Sequence, residues 1–98
     1  MNDMIQIMAR VEIEDLAHFI SGFATRGAAM RRLHGSRGAR LLRVADAENQ
    51  VVILLDWESL ESFQRFLNDP MMEETVKSSG ITAYPEFTCL ENIATFPS

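Results

Sequence analysis

Three side chains in the sequence could move a proton or hold a negative charge. His34 precedes Gly35 at the predicted end of a helix, where the negative end of the helix dipole favours a protonated imidazole. Tyr84 carries an ionisable hydroxyl, and the guanidinium of Arg40 could stabilise an oxyanion. We therefore take His34 and Tyr84 as the candidate acid and base, and Arg40 as the candidate anion-stabilising residue. Capping of the helix is the alternative role of His34.

Aromatic side chains could form a binding pocket. Phe19, Phe23 and Phe63 fall on the predicted inner faces of two helices, and Trp57 ends the third predicted strand. Rings in these places would line a cavity between helices and sheet, which suits a flat apolar ligand. The four residues are the candidate substrate-binding residues, and packing in the core is the alternative role of each.

The sequence has no motif for a bound cofactor or metal. A phosphate loop, a zinc-ligand spacing and a Gly-x-Ser-x-Gly turn are all absent. The single cysteine, Cys89, cannot form an intramolecular disulfide or a metal site of several thiolates. Its place in an alternating apolar stretch predicts a buried thiol. We expect neither a cofactor nor a metal ion.

The charge of the chain limits its partners. Fourteen acidic side chains outnumber nine basic ones, and the formal net charge of −5 disfavours a nucleic-acid surface. The stretch from Leu16 to Ala45 contains no acid but carries Arg26, Arg31, Arg32, Arg37, Arg40 and Arg43. These arginines could bind an acidic small molecule. A solvated helix end with ion pairs to another subunit is the alternative.

No segment predicts export or membrane insertion. The N-terminal residues include no basic stretch, and no apolar run approaches the roughly 18 residues that a membrane helix needs. With 98 residues and 47% hydrophobic content, the chain suits one domain with one core, which we place at residues 1–98. We expect a cytoplasmic protein without membrane contact.

Two helical regions are predicted between strand-like runs. The first helix follows from apolar residues at three-to-four spacing: Leu16, Phe19, Ile20, Phe23, Gly27 and Met30. Asp15 caps its start and Gly35 ends it, while Gly27 predicts a close approach of helix and sheet. The second helical region begins at Ser59, and a short further piece spans Pro70 to Ser79 and ends at Gly80.

The order of these elements repeats after 44 residues. The predicted strands are Met4 to Ile13, Ala39 to Ala45, Gln50 to Trp57 and Tyr84 to Ile93. Glu12 to Leu16 overlays Asp56 to Leu60, so each half contains a strand, a cap and a helix in the same order. This repeat predicts an α+β fold of ferredoxin-like βαββαβ order, with helices on one face of an antiparallel sheet. The first and third strands would be central.

The third strand predicts a homodimer. Val51, Ile53 and Leu55 point opposite to Val52 and Leu54, so both faces of the sheet carry apolar side chains. The two helical regions can cover only one face. A second subunit is the simplest cover for the other.

Four segments resemble a known family. They are Arg40-Leu41-Leu42-Arg43, Val51 to Trp57, Phe66 to Pro70, and Gly80 with Pro85. The chain is similar in these segments to the dimeric α/β-barrel superfamily, particularly to small proteins of the antibiotic biosynthesis monooxygenase type. This resemblance implies the dimeric barrel and a choice among cofactor-free oxygenases of phenolic substrates, cyclases, isomerases and haem-degrading enzymes. Ser59 to Gly80 lacks the histidine that haem-degrading relatives use, so that activity is not expected.

Two functions follow as hypotheses. The first is a cofactor-independent enzyme of the monooxygenase, cyclase or isomerase kind, with a small cyclic or aromatic substrate that could carry an acidic group. The second is a non-catalytic dimeric binding or accessory protein. The absence of a recognisable triad, metal set or paired catalytic carboxylates favours the second.

Overall fold

The computed structural model describes residues 4–98, which form a four-stranded sheet with a helical layer. The predicted domain also includes residues 1–3, which lie outside this range. The strands are β1 (Ile5–Glu12), β2 (Ser36–Arg43), β3 (Gln50–Trp57) and β4 (Glu86–Leu90). The helices are α1 (Leu16–Gly22), α2 (Ala28–Leu33), α3 (Leu60–Leu67) and α4 (Met72–Ser78).

The sheet has the strand order β2-β3-β1-β4, and all its neighbours are antiparallel. The two apolar strands β1 and β3 are therefore central, as predicted, and the fold is ferredoxin-like. Strand β2 begins three residues earlier than predicted, because Ser36 still pairs with Trp57. An irregularity between Ser36 and Gly38 accommodates the extra residue in this edge strand.

A π-helical turn interrupts the first helical region. Asp15 caps α1 as predicted, since its carboxylate accepts a hydrogen bond of 2.8 Å from the backbone N–H of His18. Phe23–Gly27 then forms the π-turn, and the chain continues directly into α2. His34 is the C-terminal cap of α2, and Gly35 follows with a φ of 102°, which favours glycine. The predicted helix is therefore present, but its regular phase is broken.

The second helical region follows its predicted caps and turns. The hydroxyl of Ser59 accepts a hydrogen bond of 3.1 Å from the backbone N–H of Ser62 and so caps α3. Helix α4 begins at Met72 rather than at Pro70, because Asp69 holds the backbone N–H of Met71 in a turn at 2.8 Å. Gly80 follows α4 with a φ of 76°. No helix in residues 4–98 is both long and apolar enough to cross a bilayer.

The core lies between one sheet face and the helices. Alternate residues of the central strands are buried there: Ile7, Ala9, Val11, Val51, Ile53, Leu55 and Trp57. Phe19 and Phe63 pack onto them from the helical layer and are equally buried. Not all of the apolar residues predicted for the inner face of the first helix point inwards, because Ile20 is exposed. The helical layer thus covers one face of the sheet.

The other face, which we call the open face, carries Met8, Leu42, Val52 and Leu54. Met8 and Leu42 are exposed, and Val52 and Leu54 are half-buried. The prediction that both faces of the sheet carry apolar side chains is therefore confirmed. That a second copy covers the open face stays a prediction.

Strand β4 is shorter than the predicted span, since it begins after Pro85 and ends at Leu90. Cys89 pairs with Ile7 on this strand, yet its side chain is exposed. The prediction of a buried thiol is therefore wrong. The reason is that β4 lies at the edge of the sheet, where an alternating sequence does not guarantee a cover on either face.

Replacing Phe63 by Ala should destabilise the fold by about 3–5 kcal/mol, the usual cost of a large cavity in a core. Phe63 is 1% exposed, and its ring centroid lies 5.2 Å from Trp57 and 5.5 Å from Phe87. Urea unfolding at pH 7 would measure the loss. Leu33→Ala is the control, because Leu33 is 73% exposed and its truncation should cost about 0.5 kcal/mol or less. Equal losses in both variants would contradict this packing.

Candidate functional site

An apolar pocket lies between the helical layer and the sheet. Phe19 and Phe23 line it from the first helical region, Ile53 and Leu55 from β3, and Phe66 from α3. Met30, Met72, Val76, Ile81 and Phe87 complete most of the wall. The cavity volume is about 60 Å³. A ring-sized ligand therefore needs the flexible side chains of Met30 and Met72 to move aside.

The structure divides the four predicted aromatic residues into two pairs. Phe19 and Phe23 line the pocket, with ring centroids 5.7 Å apart. Trp57 and Phe63 do not line it, and they pack behind the pocket wall instead. Trp57 contacts Phe66 at a centroid distance of 4.7 Å, and Phe63 contacts Phe87 at 5.5 Å. Trp57 and Phe63 therefore hold in place two rings that do reach the pocket.

His34 is engaged at both its ring and its backbone. Its Nε2 lies 2.7 Å from Oδ2 of Asp69, and its carbonyl accepts a hydrogen bond of 2.9 Å from the indole N–H of Trp57. Hydrogen bonds from His34 and from the backbone N–H of Met71 hold the pKa of Asp69 below its usual value. Asp69 is therefore ionised at neutral pH and accepts a hydrogen bond from the imidazole N–H of His34. This pair joins the end of α2 to the turn between α3 and α4.

The three predicted catalytic residues do not meet in the apolar pocket. Tyr84 is exposed and borders an open groove beside α4, which Asp69 also borders. His34 contacts that aspartate, so Asp69 connects two of the candidates. Arg40 pairs with Leu54 and therefore lies on the open face of the sheet. The catalytic roles of His34, Tyr84 and Arg40 stay a prediction.

The sequence reasoning missed Arg31 as an individual pocket residue. Arg31 borders the pocket, and its guanidinium carbon lies 3.7 Å from the ring centroid of Phe23. Its Nη1 donates a hydrogen bond of 3.0 Å to the carbonyl of Phe23. Burial, together with the neighbouring charge of Arg32, lowers the pKa of Arg31 to about 10. The acid-free run of arginines was the available signal, but the π-turn decides which of them turns inwards.

Gly27 makes room for this arginine. A Cβ atom at Gly27 would lie 3.1 Å from Nη1 of Arg31 and 3.3 Å from the carbonyl oxygen of Gly22. The prediction that Gly27 lets helix and sheet approach is therefore wrong, because the close neighbour is the guanidinium. The sequence pattern could not show this. The π-turn changes the direction in which the side chains after it point, and Arg31 lies one helical turn after Gly27.

Among residues 4–98, no group of three or more His, Cys, Asp or Glu side chains is placed to hold a metal ion. The polar groups at the pocket are Arg31, Thr75 and Ser79. The Thr75 hydroxyl donates to the sulfur of Met30 at 3.0 Å, and the Ser79 hydroxyl donates to the carbonyl of Thr75 at 2.7 Å. Arg31 is thus the one charged residue on the pocket wall in the described part of the chain, and its guanidinium packs on the carbonyl and ring of Phe23.

A family model matches most of the chain. The model for antibiotic biosynthesis monooxygenases matches residues 4–78. The chain therefore belongs to the antibiotic biosynthesis monooxygenase family, which confirms the resemblance seen in its sequence. No curated protein matches it.

Solved structures support the same fold. SnoaB from Streptomyces nogalater, a cofactor-independent oxygenase, is 24% identical, with a TM-score of 0.79 over 98% of this chain and 99% of its own. A Bordetella bronchiseptica protein with the same family description is 22% identical, with a TM-score of 0.79 over 94% and 99%. A NIPSNAP-like domain protein from Burkholderia xenovorans, also 22% identical, has a TM-score of 0.65 over 100% and 92%. At these identities the likeness extends to the fold only.

Asp69→Asn should destabilise the protein most at neutral pH. The folded state lowers the pKa of Asp69, so its stabilising effect is complete above the usual Asp pKa of about 3.9 and is lost as the pH falls through the lowered value. Urea unfolding at pH 7, 5 and 3 measures the free energy of unfolding of wild type and variant. The difference between the two should be smallest at pH 3. In a His34→Gln background, Asp69→Asn should lower the free energy of unfolding by a smaller amount. A difference between wild type and variant that is the same at all three pH values would contradict the pairing of His34 with Asp69.

Proposed function

We propose that this protein is a cofactor-independent enzyme of the monooxygenase type that acts on a small aromatic or cyclic substrate. The observation that carries the proposal is the apolar pocket between helices and sheet, which four phenylalanine rings line. The rings are those of Phe19, Phe23, Phe66 and Phe87. Rings in such a pocket stack on a flat ligand and exclude water from it. Family membership and the likeness to SnoaB support the type of reaction.

The chemistry of such a reaction restricts the substrate. Without a cofactor, the electrons that reduce molecular oxygen must come from the substrate itself. An electron-rich ring that can lose a proton, such as a phenol or quinol, meets this condition. A positive charge near the ring favours the deprotonated form, and Arg31 is the one charged residue on the pocket wall in the described part of the chain.

The second candidate function is a non-catalytic binding or accessory protein. Its support is the size and chemistry of the pocket. The cavity volume of about 60 Å³ is smaller than the roughly 150 Å³ of an engineered cavity that admits benzene. The two hydroxyls at the wall, of Thr75 and Ser79, already donate within the protein.

We also propose that the open face joins two copies of the chain. The paired residues Met8 with Leu54, and Leu42 with Val52, would otherwise leave apolar side chains on this face in water. Apolar side chains in the segment after β4 are similarly uncovered, because Ile93 is 95% and Phe96 77% exposed. A twofold arrangement buries the same face of each copy.

Oxygen uptake tests the proposed activity. Phenols, quinols and naphthols are incubated with the protein in an oxygen electrode, without flavin or metal, and thermal shift is measured in parallel. At least one compound should cause oxygen uptake, and Phe23→Ala should lower kcat/KM by about tenfold, the equivalent of one lost ring contact. Ile20→Ala is the control, because Ile20 lies on the same helical region but is exposed. Binding without oxygen uptake would support the second candidate, and neither effect would overturn both.

Leu54→Lys should separate the dimer into monomers. It places a charge in the middle of the open face while leaving the helical side of β3 unchanged. Light scattering during gel filtration should report twice the chain mass of 11.1 kDa for wild type and the chain mass for the variant. Leu33→Lys, on the exposed side of α2, should remain dimeric, and circular dichroism checks that both variants fold. A wild-type particle of 11.1 kDa at micromolar concentration would contradict the dimer.

A further inference from the structure

A groove between α2 and the start of β2 carries three arginines, and we call it the arginine groove. Arg31 and Arg32 line it from α2, and Ser36 and Arg37 line it from β2. Its volume is about 280 Å³. No Asp or Glu lies on its wall in the described part of the chain, although acids outnumber bases in the whole sequence. The groove is therefore a local concentration of positive charge on an acidic protein.

The irregularity in β2 places the third arginine in this groove. Strand pairing passes from Ser36 to Gly38, so Arg37 is the extra residue of the bulge. A bulge redirects the side chain of its extra residue, and bulges often occur next to binding sites. Here Arg37 lines the groove beside two residues of the last turn of α2, Arg31 and Arg32. The end of the helix and the bulged strand thus bring three cations together.

These cations have little acidic compensation. Neither Arg31 nor Arg32 belongs to any of the ion pairs among residues 4–98. Arg37 lies 3.9 Å from a carboxylate oxygen of Glu58, but its side chain is 61% exposed, and pairs of this kind contribute little. Burial, and after it the charge of Arg32, lowers the pKa of Arg31 to about 10, so the two neighbouring cations repel each other. An anion in the groove would relieve that repulsion.

Hydrogen-bond donors in the groove are also unused. Nη1 of Arg31 is held by the carbonyl of Phe23. By contrast, the guanidinium of Arg32 and the hydroxyl of Ser36 have no hydrogen-bond partner among residues 4–98. A guanidinium has five N–H donors in a planar fork that fits the oxygens of phosphate and carboxylate groups. The groove can therefore donate several hydrogen bonds to one group that has several acceptor oxygens.

We propose that the arginine groove binds the phosphate group of a small ligand, with Arg32 and Arg37 as its direct contacts. Arg31, which is held against Phe23, contributes its charge from the inner wall. A phosphate monoester carries a charge of about −1.5 to −2 and three strong acceptor oxygens, whereas a carboxylate carries a single charge. Phosphate therefore matches three cations and a hydroxyl better. This inference concerns a second site and does not rest on the proposed function.

Calorimetry at pH 8 and low salt tests the site with inorganic phosphate, glycerol 1-phosphate and acetate, because salt screens exposed charges. Wild type should bind one phosphate per chain, at least about tenfold more tightly than acetate. Arg32→Gln and Arg37→Gln should each weaken phosphate binding by about tenfold, the equivalent of one charge-assisted hydrogen bond. Circular dichroism checks that both variants fold.

Arg65→Gln is the matched control. Arg65 is 59% exposed and also faces a glutamate, at 3.3 Å, but it lies on α3 and does not line the groove. Its replacement removes the same charge and should leave phosphate binding unchanged. Glu58→Gln should strengthen binding by about two- to fivefold, because Glu58 competes with the ligand for Arg37.

The outcomes identify the ligand or overturn the site. Tighter binding of glycerol 1-phosphate than of inorganic phosphate indicates a phosphorylated ligand, and equal binding indicates free phosphate. Both results support the site. Equal affinity for acetate and phosphate overturns the assignment to phosphate, and equal losses in Arg37→Gln and Arg65→Gln overturn the site in favour of general attraction by charge. Absence of phosphate binding also overturns it, and dissociation of the dimer by Arg37→Gln would then assign the groove to a contact between copies.

Discussion

The packing of Trp57 determines how the rest of the site is positioned. This side chain is fully buried at the end of β3, its indole N–H donates to the carbonyl of His34, and its ring contacts Phe63 and Phe66. It therefore connects the sheet, the end of α2 and helix α3. Because His34 in turn holds Asp69, the same connection reaches the start of α4. Trp57 therefore fixes the positions of the sheet, α2, α3 and α4 relative to one another around the pocket.

The π-turn gives the pocket its only charged group in the described structure. A regular helix from Leu16 to Leu33 would keep one apolar face towards the sheet, and its arginines would point to solvent. The π-turn changes the phase after Phe23, so Arg31 lies over that ring and at the pocket. Departures from ideal helix geometry are unfavourable in themselves and persist where surrounding contacts support them. Here Arg31 supplies that support, because its guanidinium donates to the carbonyl of Phe23 and lies over the ring of the same residue.

Much of the fold could be predicted because its signals are local. Val51 to Leu55 form a strand by β-branched composition, Asp15 and Ser59 cap helices by their own hydrogen bonds, and the repeat of these units fixes the sheet order. The site depended on information that is not local. Arg31 was one of six similar arginines until the π-turn set its direction, and Cys89 required knowledge of how far the helices extend over an edge strand.

The period of two in β3 separates the pocket wall from the open face. Ile53 and Leu55 face the pocket, whereas Val52 and Leu54 face away from it. A shift of one residue in the pairing of β3 would exchange these two sets, so the register must be firmly held. The regular pairing with β1 over all eight residues of each strand provides this, and the irregularity in the sheet lies in the edge strand β2. Strands β1 and β3 can therefore contribute side chains to both faces of the sheet in a fixed register, because the irregularity lies in the edge strand β2.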